Sequence, residues 1–177
     1  MNKKTKRGLK DIIIRYSVLL FFALVGFELF YFIFKPLTMY PSFFLFDIFY
    51  NPYIIENTIH FYDSVLSFEF IGACIAGSAY LLFFILNFST PNIKFKKRLA
   101  LLGISFASFL IINILRIFFI GVMFIENFSY AEFAHIFFWY FGSIFMVILI
   151  WFVEVKIFRI KDIPFYTDVK YLIKNLA

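Results

Sequence analysis

The chain has 177 residues, of which 63% are hydrophobic, including 31 phenylalanines, and only 16% are charged. A composition this apolar excludes a soluble globular domain and indicates an integral membrane protein, and the length fits one domain over residues 1–177. The single cysteine excludes an internal disulfide and a dithiol redox pair. The net charge of +6 does not indicate nucleic-acid binding, because the basic residues stand in short blocks beside hydrophobic runs.

Four apolar stretches are long enough to cross a bilayer as helices, which takes about 20 residues each. They cover about residues 12–34, 70–88, 99–123 and 134–158. The basic N-terminus and the first stretch together are similar to a signal peptide, but the apolar run is too long and no small-residue cleavage site follows Phe34. We therefore expect a retained first span and an all-α integral membrane fold, a four-helix transmembrane bundle.

Residues 35–69 connect the first two predicted spans and are rich in Phe, Tyr and Ile, with interruptions at Pro36, Pro41 and Pro52. After Pro52, apolar residues recur at helical spacing on one face, with acidic residues and His60 on the other. This pattern predicts a short helical segment in the outer interface of the membrane. Such a helix could cap a site below it or act only as an anchor, and the sequence favours neither.

Charge divides the connecting segments into two sides. Basic residues dominate the N-terminus, the connection between the second and third spans, and the end of the fourth span: Lys3, Lys4, Lys6, Arg7, Lys10, Lys94, Lys96, Lys97, Arg98, Lys156, Arg159 and Lys161. Acidic residues dominate the other two connections: Asp47, Glu56, Asp63, Glu69, Glu126 and Glu132. Because positive residues stay on the cytoplasmic side, we expect a multi-pass protein of the cell membrane with both termini in the cytoplasm, including the tail 159–177.

Four polar residues are predicted to share one shallow layer near the outer membrane face. A helix rise of about 1.5 Å per residue places Cys74 roughly 6 Å below the outer edge and Arg116 within roughly 10 Å of it. His135 stands at the outer mouth of the fourth span, and Glu28 of the first span reaches the same layer. Ionisable residues inside a membrane are costly and usually functional, so these four are candidate site residues.

Each candidate also has a purely structural interpretation. A lone cysteine in a membrane is often a small hydrophobic residue, and Arg116 could extend its side chain to the head groups. His135 could be an ordinary interfacial residue, and Glu28 could serve only to neutralise Arg116. The small residues around the thiol could serve close helix packing alone: Gly72, Ala73, Ala76 and Gly77.

A thiol, an imidazole and a guanidinium in one layer suit covalent catalysis. A thiolate attacks a carbonyl carbon, the imidazole exchanges protons, and the guanidinium stabilises the oxyanion in a water-poor site. The nearby cation Arg116 and the position of Cys74 in the first turns of its predicted helix both favour the thiolate. Asn113 precedes Arg116 by one turn on the same face, where its amide could orient Arg116 or His135.

Four motifs follow one another in a recognisable order. A cysteine and small residues open a span in "ACIAGS", a basic segment "KFKKR" follows, an Asn-x-x-Arg motif ends the next span in "NILRI", and a histidine opens the last span in "AHIFFWYFGS". In order, spacing and shared depth, these motifs resemble those of the exosortase and archaeosortase family of membrane transpeptidases. The resemblance runs from about Ile71 to Ile150, nearly half the chain.

The resemblance implies a cysteine peptidase and transpeptidase without a metal or cofactor. Cys74 would be the nucleophile that forms a thioester, His135 the acid and base, and Arg116 the group that stabilises the transition state, with Asn113 and Glu28 in support. The substrates would be exported proteins whose C-terminal sorting signal has a short motif, a transmembrane helix and a basic tail. The enzyme would cut near the outer face and transfer the new carboxyl end to a membrane lipid or another amine or hydroxyl acceptor.

Two other classes of protein fit parts of the sequence. A haem-binding membrane subunit would use His60 and His135 as axial ligands, although no paired histidine spacing within the spans supports it. A non-enzymatic transport or assembly protein would keep its buried charges for structural reasons alone. Retained function after loss of the thiol would favour this second alternative.

Overall fold

The computed structural model describes residues 3–176, with side chains described for residues 8–174. The basic side chains of Lys3, Lys4, Lys6 and Arg7, which contribute to the predicted topology, lie outside that part. Within the described residues the fold is mostly helical, and three helices are long and apolar enough to cross a membrane. They begin at Gly8, Phe95 and Ala131.

The first helix, α1, runs from Lys3 to Asp47. Its 45 residues extend about 68 Å, roughly twice the thickness of a bilayer's hydrocarbon core. The helix passes through Pro36 and Pro41 and so continues into the segment that the sequence assigns to an outer loop. The lost backbone hydrogen bonds are offset by packing, because Met39 and Phe46 of the extension are buried in an apolar cluster beside the sheet described next.

Three short strands follow α1: β1 (Pro52–Ile55), β2 (Thr58–Phe61) and β3 (Ser64–Glu69). They pair antiparallel in the order β1-β2-β3, so the interfacial helix predicted after Pro52 is wrong. Strands form here because β-branched and aromatic residues are concentrated in the segment and two-residue connections turn the chain between strands. Ile59 and Phe61 alternate into the apolar cluster that holds Phe46.

The second predicted span is a broken helix. A single turn, α2 (Gly72–Ile75), is separated from α3 (Gly77–Ser89) by Ala76, whose φ of 55° and ψ of 46° are left-handed. The 13 residues of α3 extend only about 20 Å, less than the hydrocarbon thickness. The second predicted span, over residues 70–88, and with it the bundle of four spans, therefore stays a prediction.

Helix α3 packs closely against α1 at Gly77. A Cβ atom at this position would lie 3.3 Å from the carbonyl oxygen of Phe27 and 3.3 Å from the backbone nitrogen of Tyr31. One turn further along α3, the Tyr80 ring stacks on Phe34 with a centroid separation of 3.5 Å. The glycine after the cysteine motif thus has a packing role, since it lets two helix backbones approach each other.

The remaining helices are α4 (Phe95–Ile125), α5 (Ala131–Phe137), α6 (Ser143–Ile157) and α7 (Tyr166–Leu176). A π-helical turn, Phe138–Gly142, joins α5 to α6 without a break in the helix. Helices α1, α3, α4 and α6 enclose the main apolar core, which includes Phe83, Phe109 and Val147. The sheet lies at one end of the helical bundle. We call this end of the molecule the sheet end.

Helix α7 docks at the opposite end of the molecule, where the cytoplasm is predicted. The Arg15 Nη2 atom lies 2.6 Å from Asp168 Oδ1, and the Tyr16 hydroxyl donates to Asp168 Oδ2 at 3.3 Å. At the same end Arg98 donates hydrogen bonds to the carbonyl oxygens of Asn87 and Thr90, which belong to the end of α3. A cation at the carboxyl end of a helix stabilises it.

Candidate active site

A cavity of about 380 Å³ opens at the sheet end of the molecule. Its walls come from β3 and the residues that follow it, from α2, from the last turns of α4, and from α5 with the π-helical turn. Cys74, Arg116 and His135 all line this cavity. The structure therefore brings together three of the four candidate residues, each from a different helical segment.

Cys74 sits in the single turn of α2, and its backbone is held from two sides. The Cys74 amide donates to the carbonyl oxygen of Ile71 at 3.0 Å, and its own carbonyl oxygen accepts from Asn113 Nδ2 at 2.8 Å. The thiol lies 3.8 Å from the carbonyl oxygen of Glu69, the last residue of β3. The left-handed Ala76, a conformation that costs a non-glycine residue about 1–2 kcal/mol, turns the chain from this segment into α3.

This geometry changes the expected activation of the thiol. The sequence predicts Cys74 in the first turns of a long helix, whose dipole would favour the thiolate. In the structure the long helix, α3, begins at Gly77, after the cysteine, and α2 has only four residues. Because the effect of the dipole is confined to the first turn of a helix of some length, Arg116 is the source of positive charge left for the thiolate.

Asn113 is fully buried on α4 and holds the cysteine segment, not Arg116 or His135 as the sequence analysis suggests. Its Nδ2 atom makes the hydrogen bond to Cys74, while its Oδ1 atom is buried with no hydrogen-bond partner among the described residues. The supporting contact that Asn113 makes is therefore directed at the backbone of Cys74.

Arg116 is bound to the π-helical turn and to the first residue of α6. Its Nη1 atom donates to Ser143 Oγ at 3.0 Å and to the carbonyl oxygen of Phe138 at 3.3 Å. Its Nε atom is buried and has no hydrogen-bond partner, and no ion pair joins Arg116 to an acidic side chain in the described part of the chain. An unpaired guanidinium with a spare donor therefore lines the same cavity as the thiol.

His135 lies in α5 and is held by aromatic packing. Its ring makes edge-to-face contacts with Phe124, at a centroid distance of 6.1 Å, and with Trp139, at 5.4 Å. Within residues 8–174 the imidazole donates no hydrogen bond to a carboxylate that would orient it. The orientation of the His135 ring, on which any proton transfer would depend, is thus set by packing against Phe124 and Trp139.

Glu28 does not join the other three candidates. Its side chain is exposed on α1 and does not line the cavity. Among the residues with described side chains, no hydrogen bond or ion pair connects Glu28 to Arg116 or His135. The predicted neutralisation of Arg116 by Glu28 is thus not seen, and we leave Glu28 out of the proposed site.

Sequence reasoning missed three groups that shape the cavity. Ser143 and the carbonyl oxygen of Phe138 hold Arg116, and the carbonyl oxygen of Glu69 lies beside the thiol. The first two depend on a π-helical turn, for which the sequence carries no clear signal. The third has a weak one, since Glu69 is the last acidic residue before the cysteine motif.

His60, the second histidine of the haem alternative, lies in β2, where its ring stacks on Tyr53 at 5.2 Å. It does not line the cavity that holds His135. No cluster of three or more potential metal ligands (His, Cys, Asp or Glu) occurs within the described residues. The geometry therefore does not bring the two histidines together as ligands of one group.

Comparisons with known proteins add no relative to this description. The chain matches no protein-family model, and neither the curated proteins nor the solved structures contain a significant match.

Proposed function

We propose that the protein is a membrane-embedded cysteine peptidase and transpeptidase that processes the C-terminal sorting signals of exported proteins. One observation carries the proposal: Cys74, Arg116 and His135, which lie far apart in the sequence, line one cavity. The order of their motifs, which resembles that of exosortases and archaeosortases, supports the same activity.

The environment of Arg116 favours chemistry over a structural role. A structural arginine within a membrane protein is normally paired with an acid or bonded to backbone carbonyl oxygens, as Arg98 is, because a buried charge that lacks partners is costly. Arg116 has only neutral partners, and it retains an unsatisfied Nε atom. A thiolate or a tetrahedral oxyanion in the cavity would supply the missing negative charge.

The reaction follows from these three groups. His135 takes the proton of the Cys74 thiol, and the sulfur attacks the carbonyl carbon of the substrate, so that a C–S bond forms and the carbonyl oxygen becomes an oxyanion. Arg116 donates hydrogen bonds to this oxyanion. When the intermediate collapses, the C–N bond breaks, His135 gives its proton to the leaving amine, and a thioester remains on Cys74.

Transfer to the acceptor reverses the roles. The hydroxyl or amine of the acceptor attacks the thioester carbon while His135 takes its proton. The C–S bond then breaks, and the proton returns from His135 to the sulfur. The acceptor now carries the carboxyl end of the substrate as an ester or amide, and the enzyme is unchanged.

The position of the cavity suits this substrate class. It lies at the sheet end, which the charge pattern of the sequence assigns to the outer side of the membrane. A sorting signal with an apolar helix and a basic tail would cross the membrane from outside to inside, opposite in direction to α1, with its scissile bond just above its own helix. A cavity near the end of the bundle is at the height where such a bond emerges.

The test is the loss of the thiol in cells that normally make this protein. We expect cells carrying Cys74→Ala to accumulate exported proteins that keep an apolar C-terminal helix and a basic tail, as measured by mass spectrometry of intact membrane proteins. Cys74→Ser should also fail to process them, because an unactivated hydroxyl is a much weaker nucleophile. Identical C-termini in wild-type and Cys74→Ala cells would favour the non-enzymatic alternative.

The predicted orientation has a separate test, because the chain has only one cysteine. A membrane-impermeant thiol reagent added to intact cells should label Cys74 from outside, and the Cys74→Ala variant gives the background. Labelling only after the cytoplasmic side is exposed would contradict the topology and with it the proposed route of the substrate.

A further inference from the structure

Strand β3 is an edge strand of the sheet, and its residues alternate between those that hydrogen-bond to β2 and those that do not. The Phe70 amide donates to the carbonyl oxygen of Asn57 at 2.9 Å, which marks this pair as hydrogen-bonded. Antiparallel pairs alternate, so Phe68 also bonds to β2, whereas Ser67 and Glu69 direct their backbone groups away from it. Strand β3 therefore presents the amide and carbonyl of Ser67 and the amide of Glu69 at its free edge.

This free edge borders the candidate active site. The cavity is lined by six consecutive residues, from Leu66 to Ile71. A strand that turned one face to a cavity would contribute every second residue, because side chains alternate between faces. The unbroken run indicates that the edge itself forms the wall, and the carbonyl oxygen of Glu69 on this edge lies 3.8 Å from the Cys74 sulfur.

We propose that the segment of the substrate around the scissile bond binds in extended form to the free edge of β3 and adds a fourth strand to the sheet. This inference rests on the proposed function and specifies how the substrate is held. The peptide exchanges backbone hydrogen bonds with Ser67 and Glu69, in the manner of other peptides that bind by strand addition. The carbonyl that follows the paired residues then lies beside the thiol.

The edge sets the length of the paired segment. The Glu69 carbonyl oxygen already accepts the Ile71 amide at 3.1 Å, so regular pairing ends there. At the other end a β-bulge lies between the pairs Phe61–Ser64 and His60–Ser67. Between these limits lie about three residues of strand, roughly 10 Å, which matches a short recognition motif. Backbone pairing would let one enzyme accept several exported proteins that share only such a motif.

The test uses proline, which removes a backbone donor from one edge without changing the other. Ser67→Pro removes the amide that faces the free edge of β3. The matched control is Ile54→Pro. Tyr62 and Asn51 form a hydrogen-bonded pair, so by the same alternation the Ile54 amide points away from β2, toward the opposite edge of the sheet. Substrates are defined as the proteins that remain uncut in Cys74→Ala cells.

We expect Ser67→Pro to slow the processing of these substrates about tenfold, the effect of one lost hydrogen bond of about 1.4 kcal/mol, and Ile54→Pro to process them at the wild-type rate. The rate at which a small maleimide labels Cys74 serves as a check that the cavity is intact in both variants. Wild-type processing by Ser67→Pro would overturn strand addition, even where Cys74→Ala blocks cleavage. Unchanged C-termini in Cys74→Ala cells would overturn the proposed function and strand addition together.

A second variant decides the question if Ser67→Pro loses the cavity. The double variant Ser67→Cys, Cys74→Ala is oxidised with a series of substrates, each of which carries one cysteine at a different position before the cleavage site. Strand pairing predicts disulfides at alternate substrate positions, because only every second side chain faces the same side of the sheet. Disulfides at every substrate position would overturn the proposal. Disulfides between two copies of the protein, with none to the substrate, would overturn it as well, because the edge would then pair with a second copy.

Discussion

The sharpest prediction concerns Arg116, which we expect lysine not to replace. The guanidinium donates through Nη1 to both Ser143 and the Phe138 carbonyl oxygen, and its buried Nε atom has no hydrogen-bond partner among the described residues. Arg116→Lys keeps the positive charge but replaces a planar fork by a single ammonium on a flexible chain. The ammonium cannot bind the π-helical turn and the oxyanion with the same geometry.

The magnitude follows from the contacts that are lost. Removal of one donor from an oxyanion costs about 10²–10³ in turnover. Lysine can recover part of this through its charge, but only by giving up Ser143 or Phe138, and a hydrogen bond from a charged group contributes about 1.5–3 kcal/mol. We therefore expect Arg116→Lys to lower the rate of substrate processing by about 10²-fold and Arg116→Met by more.

The assay is the rate at which newly made substrate loses its C-terminal helix in a pulse-chase experiment. Ser143→Ala is the matched control, because it removes one neutral partner of Arg116 and leaves the charge, the fork and the Phe138 contact in place. We expect this control to lose less than about tenfold, the value of one ordinary hydrogen bond. Detergent-solubilised protein should show similar thermal unfolding for Ser143→Ala and wild type.

Two outcomes would contradict the role assigned to Arg116. If Arg116→Lys processes substrate at the wild-type rate, the guanidinium fork has no part in the chemistry, and Arg116 is only a positive charge at the membrane surface. A large loss with Ser143→Ala, equal to that of Arg116→Met, would instead assign Arg116 the task of holding the π-helical turn.

Three further changes have expected outcomes. Asn113→Ala leaves the Cys74 carbonyl oxygen without its donor, so we expect a loss of about 1–3 kcal/mol in unfolding free energy and slower processing, and unchanged values of both would contradict the assigned contact. Gly77→Ala should lower the midpoint of thermal unfolding because its Cβ would meet the backbone of α1, whereas Gly103→Ala, with open space around it, should not. Glu28→Gln should process substrate at the wild-type rate, and a clear loss would return Glu28 to the site.

The sequence predicts the height of the candidate residues along the bundle better than their direction. A fixed rise per residue converts position in a helix into depth, which places Cys74, Arg116 and His135 near one end, where the structure has them. The direction in which a side chain points cannot be obtained in this way, because most positions of the predicted span 12–34 in α1 are apolar and no polar face marks the buried side. Glu28 is therefore predicted at a plausible depth, but its side chain is exposed and does not line the cavity.

The errors in the segment after α1 have a different cause. Residues 52–69 are short enough that their apolar positions fit a helical period of 3.6 and a strand period of 2 about equally well. Pairing between strands decides the outcome, and it depends on contacts that are distant in sequence. The extension of α1 through Pro36 and Pro41 likewise depends on tertiary packing, since proline inside a helix costs about 3 kcal/mol without it.

Both backbone irregularities near the cavity are held by the same helix. The turn of α2 ends at the left-handed Ala76, and its Cys74 carbonyl oxygen accepts from Asn113. The π-helical turn exposes the Phe138 carbonyl oxygen, which accepts from Arg116. Irregular backbone within a membrane needs such partners, because lipid supplies no hydrogen bonds.

The spacing of the Asn-x-x-Arg motif thereby acquires a physical meaning. Asn113 and Arg116 are one turn apart on α4, so one face of this helix can reach the segment of the nucleophile and the segment of the histidine together. Asn113 holds the backbone that carries Cys74, and Arg116 holds the turn that begins three residues after His135. On this reasoning the motif fixes the distance between the proposed nucleophile and the proposed base and also supplies the cation. Substitutions at either residue should therefore be judged by the rate of substrate processing as well as by stability.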